Sequence, residues 1–244
     1  MVISNEHFVV IVPAAGVGKR MLASCPKQYL KINDETILEH TVQRLLSHKK
    51  ISKIILALSD DDDYFLQTTL VNNPNVFRVS GGEERVDSVL NGLLEVDNQK
   101  FPWVLVHDAA RPCVTHQDID QLIEQCLSQN AGGLLASPVV DTIKQCQRVG
   151  SVPEVSSTID RSQLWHALTP QMYKTSELKQ AIEQAQSKGM PITDESSAIE
   201  HAGLPSLLVS ASRENIKITQ PEDLALAAFY LEQQRMNKEE NTCA

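Results

Sequence analysis

The feature that most constrains this chain is a series of short apolar runs that recur along its length. They are "FVVIV" (8–12), "KIILAL" (53–58), "WVLVH" (103–107), "GLLASPV" (133–139) and "LLV" (207–209). Several are continuous rather than alternating, as expected of strands buried on both faces of a parallel sheet. Helical patterns lie between them. Val86, Val89, Leu90, Leu93 and Leu94 share one helical face, as do Ile119, Leu122, Ile123, Cys126 and Leu127. Thr115 and Asp118 mark the start of the second of these helices. Thr219 and Glu222 have capping-box spacing ahead of a last helix, "EDLALAAFYLEQQRM". Strands alternating with helices predict an α/β fold, a mostly parallel sheet flanked by helices. Ligands on such a sheet sit at the carboxyl ends of the strands.

One stretch interrupts this alternation. Residues 138–170 are rich in Val, Thr and Ser, with turn signals at Gly150 and Pro153. They read as a β-arm, placed at about 138–162, that has little core of its own. It packs either on a second copy of the chain or back on its own domain. The expected organisation is a single domain over residues 1–236, arm included, with a frayed tail over 237–244.

A net charge of −9 argues against a nucleic-acid backbone as partner, yet leaves room for a local cationic cluster that holds a small phosphate. No apolar run approaches the ~20 residues that span a bilayer. The amino terminus lacks a signal-peptide pattern. The five cysteines form no CxxC pair and no metal spacing, which suits free thiols in a reducing, cytoplasmic setting.

The first strand runs into "VPAAGVGKRMLASCPKQYL" (12–30). Aligned as a Walker A loop, it puts Pro13 in place of the first glycine and Arg20 in place of the hydroxyl. Read as a dinucleotide fingerprint, it has Met21 at the third glycine, and the next strand ends some 40 residues on, too far. What remains is a cradle of small residues, Ala14, Ala15, Gly16 and Gly18, whose backbone N–H groups can approach an anion. Arg20 and Lys27 add phosphate-binding charge, whereas Lys19 reads as a solvated surface charge. That set suits a triphosphate attacked at its α-phosphorus. Asp108 ends a hydrophobic strand, either as an oxygen ligand for Mg²⁺ or as a turn former, and Arg111 is a cation for the second substrate or a surface ion pair. His107 reads as a packed, hydrogen-bonded histidine. Gly82 lies in a glycine turn that opens a helix, and Arg85 and Ser88 share one face of that helix.

In order along residues 9–227, "VPAAGVGKRM…PKQYL", "GGEERVDSVLNGL", "VLVHDAARPCV", "DTIK", "DRSQLWHALTPQ", "TDESSAIE" and "NIKITQPEDLALA" resemble the cytidylyltransferases that act on 2-C-methyl-D-erythritol 4-phosphate, in the non-mevalonate isoprenoid pathway. The resemblance implies a Rossmann-like nucleotidyltransferase fold, Mg²⁺ or another divalent cation, and a homodimer joined through the β-arm. It implies catalytic roles for Arg20, Lys27, Asp108 and Lys217, with Asp108 the metal ligand. Nucleotide-binding roles fall to Pro13, Ala14, Ala15, Gly16, Gly18, Gly82, Arg85, Ser88 and Ala109. Arg111, Thr142, Arg161 and Thr169 surround the acceptor, with the arm residues reaching the neighbouring subunit's site. The acceptor phosphate attacks CTP in line and needs no general base, since a phosphate monoester with a second pKa of about 6 is already a nucleophile near neutral pH. Two alternatives stay open: a cytidylyltransferase for another polyol phosphate, such as ribitol 5-phosphate, and a catalytically silent nucleotide-binding protein.

Overall fold

The structure is a computed structural model, and it describes residues 7–16, 25–149 and 151–242. In chain order the elements are β1 (Phe8–Pro13), β2 (Lys31–Ile32), β3 (Glu35–Thr36), α1 (Ile37–Leu46), β4 (Ile51–Leu58), β5 (Val76–Ser80), α2 (Arg85–Leu94) and β6 (Trp103–Val106). There follow α3 (His116–Gln129), β7 (Gly132–Pro138), β8 (Ile143–Val149), β9 (Val152–Ile159), β10 (Trp165–Lys174), α4 (Thr175–Ser187), α5 (Glu195–His201), β11 (Ser206–Ser210) and α6 (Glu222–Thr242).

Seven strands form one sheet in the order β11-β7-β10-β6-β1-β4-β5. Strand β1 pairs in parallel with β4 and β6, β4 with β5, and β7 with β11. Only β10 runs antiparallel, to both of its neighbours β6 and β7. From β1 the chain builds outward through β4 and β5, then returns to place β6 on the other side. The topological switch therefore lies between β1 and β6, where ligands of open α/β sheets bind.

The continuous apolar runs are explained by helices on both faces. Val10, Val12, Ile54, Leu56 and Leu105 pack with Leu38, Val42 and Leu45 of α1 and Ile119, Leu122 and Ile123 of α3. Their neighbours Val9, Ile11, Ile55, Val104 and Val106 point the opposite way, to Val86 and Val89 of α2, Leu178 and Ile182 of α4, and Ile199 of α5. Each such side chain, fully buried, contributes about 1.5–3 kcal/mol. A third cluster joins Ile32, Ile37, Cys113 and Ile218 to Ala227 of α6.

The predicted strands and the helices α2 and α3 are present, and the Thr115 hydroxyl accepts from the Asp118 amide at the start of α3. The last helix differs. Its entry is held by Asp223 rather than Glu222, with the Asp223 carboxylate accepting from the amides of Thr219 and Gln220 and from the Thr219 hydroxyl. Helical backbone also runs on to Thr242, through most of the tail expected to fray. In the arm region, β8 and β9 form a separate two-stranded antiparallel sheet, exposed along most of β9. Strand β10, in contrast, belongs to the main sheet. Its first residues are exposed, and those from Thr169 to Tyr173 are buried between β6 and β7. The register shift between Ala167 and Gln171 accommodates Pro170, which cannot donate to a ladder. The cysteines among the described residues are free thiols, and burial pushes those of Cys113 and Cys126 up to about 12. Among the described residues, no helix is long and apolar enough to cross a membrane.

Candidate active site

A pocket opens at the switch point. It is lined by Pro13, Ala14, Ala15 and Gly16 after β1, by Gly82, Arg85 and Ser88 around the start of α2, by Asp108 and Ala109 after β6, and by Lys27 and Lys217. These residues come from five separate stretches of sequence. Gly18 and Arg20, like Lys19, lie outside the described residues.

The loop after β1 is fixed from both sides. The Ala14 amide donates to the Ala57 carbonyl, continuing the β1–β4 ladder, and buried Gln28 donates to the Ala14 carbonyl at 2.7 Å. Among the described residues, a Cβ on Gly16 would meet no atom within 4 Å, so on this side its backbone leaves room for an anion. At Gly82, by contrast, a Cβ would collide with that of Asp87. Here glycine is required so that the loop can lie against α2. The Gly82 amide donates to the Ser88 hydroxyl at 3.0 Å, so Ser88 braces this loop as well as lining the pocket. Lys27 sits in a 3₁₀ turn, and its ammonium donates to the Ile218 carbonyl, next to Lys217.

Asp108 is the centre of the site. One carboxylate oxygen takes the Arg85 Nε at 3.2 Å; the other takes the Lys217 Nζ at 2.9 Å and the Arg111 Nε at 3.3 Å. Burial alone would raise the Asp108 pKa, but Arg85, Lys217 and Arg111 together hold it well below the usual carboxylate range. Arg111 also donates to the Asn215 carbonyl at 2.7 Å, so it is a buried, doubly anchored cation rather than a surface ion pair.

A hydrogen-bond chain supports Asp108 from below. The Arg111 carbonyl can only accept, so the His107 Nε2 bonded to it at 3.0 Å carries the proton. His107 Nδ1 then accepts from the Thr169 hydroxyl at 2.9 Å, and Thr169 Oγ1 accepts from the Asp108 amide at 3.0 Å. Burial keeps His107 neutral, with its pKa pushed down to about 4. Thr169, expected at the acceptor, is thus buried and committed to holding Asp108, and it lines neither this pocket nor its neighbour.

That neighbouring pocket shares Lys217 and is lined also by Arg111, His166, Arg213 and Asn215. The arm pair lies elsewhere. Arg161 and Thr142 are exposed and bonded to each other at 3.3 Å, and neither lines the two pockets. Glu195, His166, Arg213 and Asn215 carry no role in the sequence pattern. Glu195 had one available signal, an Asp194-to-Ser197 capping spacing that sets it at the start of α5.

Asp108, Glu83 and Glu84 are the carboxylates on the pocket wall, and among the described residues no three metal-binding side chains cluster tightly enough to hold an ion alone. This donor set fits Mg²⁺ of the kind that is carried mainly by a substrate's phosphates and takes one carboxylate from the protein.

Residues 8–233 match the family model described as 2-C-methyl-D-erythritol 4-phosphate cytidylyltransferase (IspD). A protein of that name from Colwellia psychrerythraea is 63% identical over 239 residues, covering 96% of this chain and 98% of the relative. Another from Vibrio vulnificus is 53% identical over 237 residues, covering 96% and 99%. Among solved structures, the Francisella tularensis enzyme of the same name superposes with a TM-score of 0.78 at 35% identity, covering 92% of this chain and all 100% of the other.

Proposed function

The chain belongs to the 2-C-methyl-D-erythritol 4-phosphate cytidylyltransferase (IspD) family, and on that premise we propose that it transfers CMP from CTP to 2-C-methyl-D-erythritol 4-phosphate, releasing pyrophosphate, through the two pockets that meet at Lys217. The observation that carries this reading is the shared wall. Lys217 lines both pockets and pairs at 2.9 Å with Asp108, while Arg111 lines only the second. A nucleotide in the first pocket and a phosphorylated acceptor in the second would meet at one cationic boundary.

CTP is assigned to the pocket of Ala14–Gly16 and Gly82, with the triphosphate along the loop after β1 and beside Lys27. The acceptor phosphate is assigned to Arg111 and Lys217. One of its oxygens bonds to the α-phosphorus, the bond from that phosphorus to the β-bridging oxygen breaks, and the electron pair leaves with pyrophosphate. No residue needs to remove a proton, because the attacking oxygen is already ionised near neutral pH. The protein supplies orientation and fixed positive charge from Lys27, Lys217 and, from outside the described residues, Arg20. Bound Mg²⁺, with Asp108 as its ligand, would neutralise charge on the triphosphate. Thr142 and Arg161 are assigned to the acceptor site of a second subunit, which makes the working unit a homodimer, and the expected location is the cytoplasm.

Pyrophosphate release tests this reading, measured with Mg²⁺ and each of CTP, ATP, GTP and UTP, with and without acceptor. Release should require both CTP and 2-C-methyl-D-erythritol 4-phosphate. Release with ribitol 5-phosphate instead would move the acceptor assignment. CTP binding without release for any acceptor would make the chain a silent nucleotide binder.

A further inference from the structure

Asp108 owes its setting to a residue outside either pocket. Glu195 is buried at 2% exposure at the start of α5, and its carboxylate takes Arg85 with both oxygens, Nη1 at 2.6 Å and Nη2 at 3.2 Å. Arg85 spends its remaining edge on Asp108 through Nε at 3.2 Å. The planar guanidinium therefore spans two carboxylates, a geometry that an ammonium cannot reproduce. Arg85 lines the first pocket, whereas Glu195 lines neither, so any effect of Glu195 on substrates passes through Arg85.

The backbone on either side of Glu195 is tied down by a single residue of the reversed strand. Buried Gln171 of β10 donates to the Asp194 carboxylate at 2.9 Å and accepts from the Ser196 amide at 2.8 Å. The Asp194 capping box with Ser197 adds a further constraint. Glu195 is thus a fixed carboxylate, and the mobile partner in the pair is the longer Arg85.

We propose that Glu195 is a positioning residue for nucleotidyl transfer: it locks the Arg85 guanidinium so that only Nε faces Asp108, leaving the second Asp108 oxygen to Lys217 and Arg111. Without that lock, Arg85 is free to engage both Asp108 oxygens and to compete with Lys217 at the boundary between the two pockets. The inference rests on the reaction proposed above, and two separate readouts keep the two apart.

The first readout is a kinetic cycle of Glu195→Gln, Arg85→Lys and the double variant, assayed for kcat and KM with CTP and 2-C-methyl-D-erythritol 4-phosphate. Each single change should lower kcat by about 10- to 100-fold, the scale of a small misplacement of reacting groups. The double variant should be no slower than the slower single, because both changes break one linkage. Losses that multiply, or a folded Glu195→Gln protein with unchanged kcat, would overturn the proposal. If Glu195→Gln does not fold, Arg85→Lys alone still decides: its side chain is part exposed and keeps its charge, so normal melting with unchanged kcat is an equally negative result. The second readout is the set of Arg85 Nη–H resonances, the groups that Glu195 holds, in the substrate-free protein, assigned by its loss in Arg85→Lys. It should be slow to exchange in the unmodified chain and fast in Glu195→Gln. Equal exchange in the two would refute the lock even if the unmodified chain proved inactive with that substrate pair, an outcome that would itself count only against the reaction.

Discussion

The ground beneath Asp108 and the β8–β9 arm are opposites within one chain. Each polar atom of Asp108 itself has a partner: three cations on the carboxylate, Thr169 on the amide and the Arg111 amide on the carbonyl, with neutral His107 behind Thr169. In the arm, Thr142 and Arg161 have chiefly each other, in the open, and Val152 and Val155 are 69% and 63% exposed. The first region is organised before any substrate arrives. The second carries Thr142 and Arg161, proposed above for a neighbouring subunit's site, on a hairpin whose described residues are mostly exposed. The contrast is between a polar cluster satisfied within its own fold and an arm that packs little of its surface on it.

The sharpest way to break this contrast is Asp108→Asn. It leaves Arg85, Arg111 and Lys217 without their common anion, and losing one member of a buried ionic cluster costs about 3–5 kcal/mol. Urea unfolding should record that loss, together with near-complete loss of pyrophosphate release; a variant as stable as the parent would mean that water already compensates these cations.

Next in size is a pH effect. Because burial pushes His107 down to about 4, the unfolded chain takes up that proton first as the pH falls. The stabilisation is therefore fully present above the ordinary histidine pKa of about 6.5 and is lost as pH falls from there to about 4, amounting to roughly 3 kcal/mol. Asp108, whose pKa is depressed, contributes stability above the ordinary carboxylate pKa and loses it only at more acid pH. Unfolding curves of the parent and His107→Gln between these limits should differ in slope, with the variant flatter; parallel curves would assign the acid loss to other groups.

The arm predicts the reverse pattern, activity without stability. Arg161→Ala should change folding stability by no more than about 0.5 kcal/mol, as surface substitutions do, while activity drops at least tenfold, or ~1.4 kcal/mol. Mixing Arg161→Ala chains with Asp108→Asn chains sharpens the comparison. Each hybrid dimer would contain one intact site, restoring about a quarter of parental activity if subunits exchange freely. No recovery in mixtures shown to contain hybrids would place Arg161 in its own chain's site.

The smallest expected effect sets the scale for both regions. Thr36 caps α1 through a reciprocal box with Glu39, well away from the Asp108 cluster in sequence. Thr36→Ala should lower the melting free energy by about 1 kcal/mol and leave kcat unchanged.

The parts of this architecture legible in the sequence are those in which one stretch carries its own signal. Strands β1, β4 and β6 are apolar on both faces because helices cover both faces. The small-residue loop after β1 and the strand-end Asp108 follow from local pattern, and they do line one pocket. Strand β10 was not legible. It carries Thr169 and Gln171 at buried positions, and their polarity makes sense only once Asp108, Asp194 and Ser196 are seen to bond to them. Strand β5 is silent in the sequence for a simpler reason: as a largely exposed edge it lacks the apolar run of its neighbours. Thr169 shows the same limit at the level of a side chain, since a hydroxyl that touches ligand and one that props up a catalytic loop have the same letter.

The reversed strand joins the arm to the ground beneath Asp108. Strand β10 is the arm's return path at its exposed end, and at its buried end it carries Thr169 under Asp108 and Gln171 beside Glu195. Its two halves meet at the register shift around Pro170, one at the periphery and the other beneath Asp108. One length of backbone therefore serves two neighbourhoods, leaving the sheet as the arm's root and entering it as the floor under Asp108 and the brace beside Glu195.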